Sequence, residues 1–371
     1  MKKLILKTLT MGVMFAVFAT SGCNQSAFER VKIVVNESQQ KVDVIIGGTL
    51  FTSYLYPVKG GVAQKDSVLA KPVLYPLYTS KGTVITRGYP FEQRPMPERT
   101  DHPHHVGVWF NFGDVNGLDF WNNSYAIPAD RLADYGTIRH TNIISVQDGQ
   151  TEGVLTVAAN WVNADERVLL KEETKFVFRG KGDWRFIERT TKLTAQQDMV
   201  TFTDNKEGLI AIRMDRAFEE PTANHAEFID SHGVITRVEP NNEGVNGLYR
   251  NSEGMEKEAG VWGKPAKWVS LSANKDGEEI TVVIIDNKNN WGYPAHSHAR
   301  GYGLFATNNM GSRELAARGE DPGQRPLFLK KLNPGESTTF KHTIAVKTNG
   351  FATGEEINKI FNDFNQNLLN E

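Results

Sequence analysis

The sequence predicts an all-β protein: a large antiparallel β-sandwich that ends in a helix. Three observations predict it. Short segments of alternating apolar and polar residues recur between polar turns. The 371 residues include 33 glycines and are 10% aromatic, while helical periodicity is scarce. The one clear helical pattern comes at the C-terminus.

Residues 31–35 alternate, residues 36–40 turn, and residues 41–46 return as the second arm of a hairpin. Residues 50–56 read as a strand stopped by Pro57. Residues 71–77 are extended and punctuated by Pro72 and Pro76, and Pro90, Pro95 and Pro97 mark an irregular approach to residue 101. The clearest pattern spans 138–204, with strands at 153–162, 168–178 and 184–193. Polar turns such as 179–183 separate them, as in an antiparallel meander. Residues 241–267 are rich in Gly and Asn and read as loop. Residues 280–286 suit a buried strand, and residues 340–346 form the last one, entered through the turn Leu332-Asn333-Pro334-Gly335-Glu336. Thr353 and Glu356 have the spacing of a capping box. Ile357, Ile360, Phe361, Phe364 and Leu368 then share one helical face, which predicts a helix over about 354–369. No internal repeat or linker interrupts the pattern, so residues 23–371 read as a single domain.

The first 22 residues read differently. Lys2, Lys3 and Lys7 precede a mostly apolar run over 9–19, and Thr20-Ser21-Gly22-Cys23 follows. This is the layout of a secretory signal. Cys23 after small residues resembles a bacterial lipobox, which implies cleavage before Cys23 and lipid attachment to its thiol. The expected location is the cell envelope, periplasmic or on the outer membrane. Cys23 is also the only cysteine. Once lipidated it leaves no thiol for a disulfide, a metal site or a nucleophile. The formal charge of −2 becomes −5 without the leader lysines. A mildly acidic chain with scattered charge is a poor nucleic-acid binder.

The densest chemistry lies in Asp101-His102-Pro103-His104-His105-Val106-Gly107-Val108-Trp109-Phe110. In an extended segment His102 and His104 share a face and His105 points away. Paired imidazoles supply acid and base near neutral pH, or two ligands for a divalent metal that needs a third from elsewhere. Asp114, Asn116, Asp119 and Trp121 follow in a turn-like segment. Carboxylates and amides bond sugar hydroxyls and an indole covers a sugar ring, while the same Asx residues also cap turns. Further candidates are Glu207 and Arg213, Asn251 and Glu253 with Trp262 in the Gly-rich region, and His296, His298, Arg300 and Tyr302. No phosphate loop, dinucleotide fingerprint or Gly-x-Ser-x-Gly elbow occurs.

Taken in order, 101–110, Gly113 to Trp121, Lys206-Glu207-Gly208, Asn251-Ser252-Glu253-Gly254 with Trp262-Gly263, and His298 to Phe305 resemble the family labelled PmoA-like, a bacterial domain of unknown function. The resemblance spans roughly residues 50–346. The label refers to a methane-oxygenase subunit, a multi-span membrane protein, and no spanning segment follows the leader here. The closing turn at 332–336 is similar to that of galactose-mutarotase-like supersandwich domains. That likeness implies a sugar cleft on a concave sheet, with His and Glu as acid and base.

The expectation is therefore an exported lipoprotein with a carbohydrate-type cleft, a hydrolase, lyase or epimerase. His102, His104, Glu207 and His298 would carry the chemistry. Trp109, Asp114, Asn116, Asp119, Trp121, Arg213, Asn251, Glu253, Trp262, Arg300 and Tyr302 would bind substrate. A non-catalytic glycan-binding lipoprotein is the alternative. Its partners would be a carbohydrate or small polar molecule and, through Cys23, the membrane; no cofactor is implied beyond the metal.

Overall fold

The structure, a computed structural model, describes residues 28–57, 68–94, 98–223, 226–229, 235–317 and 319–366. The leader, Cys23, Pro95, Pro97 and Leu368 lie outside the described residues.

In chain order the strands are β1 Val31–Asn36, β2 Lys41–Ile46, β3 Thr49–Leu55, β4 Val73–Leu77, β5 Val108–Phe112, β6 Thr137–Gln147 and β7 Gly153–Val162. Next come β8 Val168–Lys181, β9 Trp184–Ala195, β10 Val200–Thr203, β11 Gly208–Arg213, β12 Ala226–Ile229, β13 Ile235–Val238 and β14 Leu248–Asn251. The last are β15 Trp268–Lys275, β16 Glu278–Asp286, β17 His296–Arg300, β18 Leu304–Asn308, β19 Leu329–Leu332 and β20 Ser337–Lys347. The helices are α1 Lys257–Val261 and α2 Gly354–Asn365.

Two eight-stranded antiparallel sheets form the sandwich. The first runs β1-β2-β3-β4-β5-β11-β18-β17 and the second β14-β15-β16-β20-β9-β8-β7-β6. Their inner faces meet in one apolar core that includes Val44, Phe110, Phe112, Ile210, Phe305, Phe178, Ile284 and Phe340. Alternation fixes which side chains go there, because successive residues of a strand face opposite sides. In β5, Val108, Phe110 and Phe112 enter that core, so Trp109 and Asn111 face outward.

Each sheet therefore has an outer face to close. The second uses α2, whose Ile357, Ile360, Phe361 and Phe364 pack on Phe186, Trp268, Val283, Ile285 and Ala345. The capping box holds: Thr353 Oγ1 accepts from Glu356 N and Glu356 Oε2 accepts from Thr353 N. The first sheet's outer face is closed by irregular chain instead, around Leu69, Val73, Val106, Trp109, Trp121, Ala211, Leu304 and Ala306.

The expected strands at 31–35, 41–46, 153–162, 168–178, 184–193, 280–286 and 340–346 all form. Residues 241–267 are a correction, since β14 and α1 lie there. β14 is short and joins the sheet edge through β15, so tertiary pairing overrides its Gly- and Asn-rich surroundings.

Candidate functional site

The site is built on the outer face of the first sheet. Trp109 pairs with Ala211, Ala211 with Ala306, and Ala306 with His298, so these four form one row across β5, β11, β18 and β17. The two alanines leave room above the sheet. Trp121 fills it, with ring centroids 5.2 Å from Trp109 and 5.6 Å from His298. One step along, Arg213 pairs with Leu304 and Leu304 with Arg300.

The histidine segment is a turn, not the extended strand expected. His105 N donates to His102 O at 2.9 Å, and His102 takes the left-handed φ of 46°. His tolerates that region better than most residues, and such outliers collect at functional sites. Gly107 follows with φ 56°, and a Cβ there would lie 2.2 Å from Leu74 O. The turn converges all three rings: His102 to His105 is 4.8 Å and parallel, His104 to His105 is 4.3 Å, and His102 to His104 is 5.6 Å. His105 thus joins its neighbours, and the same-face pairing of His102 with His104 falls with the strand geometry that implied it.

Two buried cations hold the turn by its backbone. Arg87 donates to the carbonyls of Arg99, Asp101, His102 and His105 at 2.9–3.1 Å, and Lys71 Nζ to His104 O at 2.8 Å. Arg87 also donates to Asp101 Oδ1 at 2.8 Å, and Arg213 reaches the same oxygen at 2.9 Å. Burial alone would raise the Asp101 carboxyl, but Arg213, His102 and Arg87 together hold it far below the usual carboxylate range. Burial pushes the Lys71 amine down to about 7, with Asp119 opposing.

The chemistry divides by depth. Burial, then Lys71 and His102, depress His104, and burial, then His104, depress His105. Burial and Arg300 do the same to His298. These three rings stay neutral. His102 differs: its side chain is 41% exposed and its Nδ1 lies 3.0 Å from Asp101 Oδ2. The contact is electrostatic, since Nδ1 makes no hydrogen bond of normal geometry; a carboxylate this close favours the proton on Nδ1 and the lone pair on Nε2, the arrangement of an oriented base. The other face of His102 stacks on Tyr302 at 5.4 Å and 10°. Tyr302 sits at the tip of the β17–β18 hairpin, where Gly303 N donates to Arg300 O.

The remaining expected residues separate clearly. Glu207 approaches the cluster, with Oε2 3.8 Å from His298 Nδ1, while Oε1 takes Lys206 Nζ at 2.6 Å. Trp262 meets His298 edge-on at 5.4 Å, and Arg300 lies over its face at 3.5 Å. Arg213 lies under Tyr302, 4.8 Å from the ring centre, and its Nη1 is 3.3 Å from His105 Nδ1. Trp109 and Trp121 are fully buried, so neither offers a face to a sugar; alternation and the alanine row turn them into the floor of the site. Asp119 is committed to Trp121 N, Asn122 N and Asn122 Nδ2, and so positions Trp121. Asp114 caps Gly117 N, and the Asn116 amide bridges Met199 O and Thr201 N. Asn251 caps Glu253 N and Met255 N, and Glu253 Oε1 takes Ser252 Oγ. Asp114, Asn116, Asn251 and Glu253 form no hydrogen bond or ion pair with the cluster among the described residues. Their Asx chemistry serves their own turns.

Sequence reading missed Asp101, Lys71 and Arg87 as site residues. Asp101 precedes His102 directly and was the one signal present; Lys71 and Arg87 carry none. His102 Nδ1, His104 Nε2, His105 Nε2 and His298 Nδ1 are buried without a hydrogen-bond partner. Among the described residues, no group of three or more His, Cys, Asp or Glu side chains converges on a metal position.

A second buried Asp–His pair lies elsewhere. Asp286 accepts from Asn287 N, Asn290 Nδ2, Ala295 N and Asn309 Nδ2, and Asn309 Oδ1 lies 3.0 Å from His342 Nε2. Burial raises Asp286 to about 6 and lowers His342 to about 3.

The model of a family of unknown function, DUF6807, matches residues 41–362. The chain belongs to that family. The DUF6807 match covers every site residue just described and both large sheets except β1. Curated protein sequences give no match. Among solved structures, a GH36 alpha-galactosidase from Geobacillus stearothermophilus is 12% identical over 85% of this chain and 41% of its own, with a TM-score of 0.37. This DUF6807 chain therefore spans about two-fifths of that galactosidase's length. A galactose mutarotase-like protein from Clostridium acetobutylicum is 11% identical over 85% of this chain and 98% of its own, at a TM-score of 0.34. A galactose mutarotase related enzyme from Lactobacillus acidophilus is 9% identical over 86% and 97%, at 0.29. The sandwich itself rests on this chain's own strand pairing. No helix among the described residues is long and apolar enough to cross a membrane.

Proposed function

We propose that this DUF6807 chain is an exported, lipid-anchored protein that performs acid–base chemistry on a carbohydrate, with His102 as the base. One observation carries the reading: His102 is the exposed imidazole of the cluster, with a buried, permanently ionised Asp101 behind it. His104 and His298 give way to it, because burial keeps both rings neutral, His298 fully enclosed and His104 partly so. Glu207 faces His298 and, with Trp262 and Arg300, lines the far side. The polar rim of His102, Glu207, Arg300 and Tyr302 agrees with a polyhydroxylated substrate. The lipid anchor is proposed from the lipobox alone.

The test is a saccharide panel scored for both binding and turnover. His102→Ala is expected to lower turnover ~10²–10⁴-fold, the usual weight of a general base, with binding retained. Binding by the wild type without turnover of any saccharide would favour the glycan-binding alternative. The anchor is tested by mass spectrometry of the N-terminus after expression of the full chain; an unmodified Cys23 in the exported protein rejects it.

A further inference from the structure

Hydrolysis, lyase chemistry and epimerisation place different demands on a site, and the arrangement around His102 distinguishes them. Glycoside hydrolysis ordinarily needs two carboxyl groups flanking the bond, one able to give a proton. Here Asp101 is buried, held ionised, and bonded to Arg87 and Arg213 beside the His102 contact. Glu207 is committed to Lys206. Neither stands as a free acid beside His102.

Tyr302 does stand beside it. Its ring is parallel to His102 at 5.4 Å, and the Arg213 guanidinium lies 4.8 Å from its centre. Arg213 in turn reaches His105, which stacks on His102, so the three rings and the guanidinium close a circuit that fixes Tyr302 against His102. The Tyr302 hydroxyl forms no hydrogen bond to any other described residue, and its Oη is not among the buried unpartnered atoms. Burial of the ring pushes the phenol up to about 12, against Arg213 and Arg300, so it stays protonated at neutral pH. The site thus offers one oriented lone pair, on His102 Nε2, and one available O–H, on Tyr302, from adjacent stacked rings.

We infer that this pair enolises a sugar bearing a carbonyl or carboxylate next to a C–H bond, with His102 as base and Tyr302 as proton donor. The inference rests on the carbohydrate reading above and narrows it to carbon-acid chemistry. His102 Nε2 takes the proton as the C–H bond breaks. The electron pair moves onto the carbonyl oxygen, which receives the Tyr302 hydrogen. Return of a proton to the carbon gives back or epimerises the sugar. If the β-carbon carries an alkoxy substituent, the pair instead forms a C=C bond, and the departing alkoxide takes the proton. No outside oxidant or reductant is needed. Arg300 at the rim, 31% exposed, pairs with Glu258 at 3.4 Å, so a substrate carboxylate would have to share or displace that pairing.

The experiment follows solvent deuterium into sugar C–H positions by NMR, using full-length protein. The probes are uronic-acid oligosaccharides and keto-sugars, with neutral oligosaccharides as comparators. Deuterium uptake or an unsaturated product is expected on the acidic or oxidised probes only, and the responding probe tells carboxylate from ketone. Tyr302→Phe keeps the ring stack and is expected to slow exchange at least ~10²-fold. His102→Asn keeps a residue that tolerates a left-handed backbone and is expected to slow it comparably, with melting temperatures of both variants near wild type. Exchange that survives Tyr302→Phe within threefold overturns the assignment of Tyr302. Hydrolysis of neutral sugars without exchange, or binding of the acidic and keto probes without exchange, overturns the enolisation and leaves the carbohydrate reading standing. Failure to bind or turn over any saccharide overturns the carbohydrate reading itself.

Discussion

Two Asp–His clusters stand on a buried aspartate among the described residues, around Asp101 and Asp286, and of these the Asp101 cluster has an outlet. Around Asp286 every carboxylate oxygen is matched by amide or backbone N–H, and His342 ends on Asn309. Both residues are at most 2% exposed. Around Asp101 two guanidiniums share one carboxylate oxygen, and the other faces an imidazole that reaches solvent. An Asp–His pair by itself therefore says little. What separates a site from a rivet is whether the last group of the network still has a free lone pair at the surface.

The largest expected effect tests the charges. Arg213→Met strands Asp101 with one guanidinium fewer in a buried setting and should cost about 3–5 kcal/mol of stability in denaturant unfolding. Asp286→Asn should cost less than about 2 kcal/mol, because burial already favours the neutral form and an amide keeps the shape. A reversed order would mean that the Asp286 network, not the Asp101 one, stores the electrostatic tension.

Next come the imidazoles. His102→Ala should change stability by no more than about 1 kcal/mol, since the ring is half in solvent and the turn is held by its carbonyls. His342→Ala should cost about 2–4 kcal/mol from the cavity and the stranded Asn309, while the folded fraction keeps its activity. Equal destabilisation by both would erase the distinction drawn here.

The smallest effect per residue is a pH slope. Burial depresses His140 and His296 to about 4 and His342 to about 3, and lowers His104, His105 and His298 as well. A histidine depressed in the fold is protonated first in the unfolded chain. Each therefore contributes stability above its unfolded value near ~6.5 and loses it as pH falls towards the folded value, by up to about 1.4 kcal/mol per pH unit. Asp286 opposes this. Its raised carboxyl contributes at low pH and loses that contribution as pH rises from ~4 to about 6. Thermal melts from pH 7 to 5 should show falling stability, with a shallower slope in His342→Gln.

Much of the fold was legible because alternation and turns are local. The meander from β7 to β9, the β1–β2 hairpin and the capping box of α2 need only neighbours in sequence. The histidine turn defeated the same reasoning. Its geometry is imposed by Arg87 and Lys71, which reach it across 33 residues or fewer of chain but from separate elements, and by the close approach of Gly107 to Leu74 O. Alternation, assumed there, sent His105 away from rings it in fact touches. Trp109 and Trp121 show the complementary error: their sugar-platform role was inferred from residue type, but the outer face of the sheet is covered chain, so their area is spent on packing. Glu207, Arg213, His298, Arg300 and Tyr302 come together because strands β11, β17 and β18 carry their motifs intact into one sheet.

The pinning of the turn also bears on how this site can change. Arg87 and Lys71 grip five main-chain oxygens and leave the exposed side chain at 102 out of that grip. Substitution at 102 by a residue that accepts the left-handed backbone is thereby largely uncoupled from the shape of the loop that presents it. The same frame can be handed a different acid, base or ligand without being rebuilt, which makes the turn a socket for new chemistry in related sequences or in the laboratory.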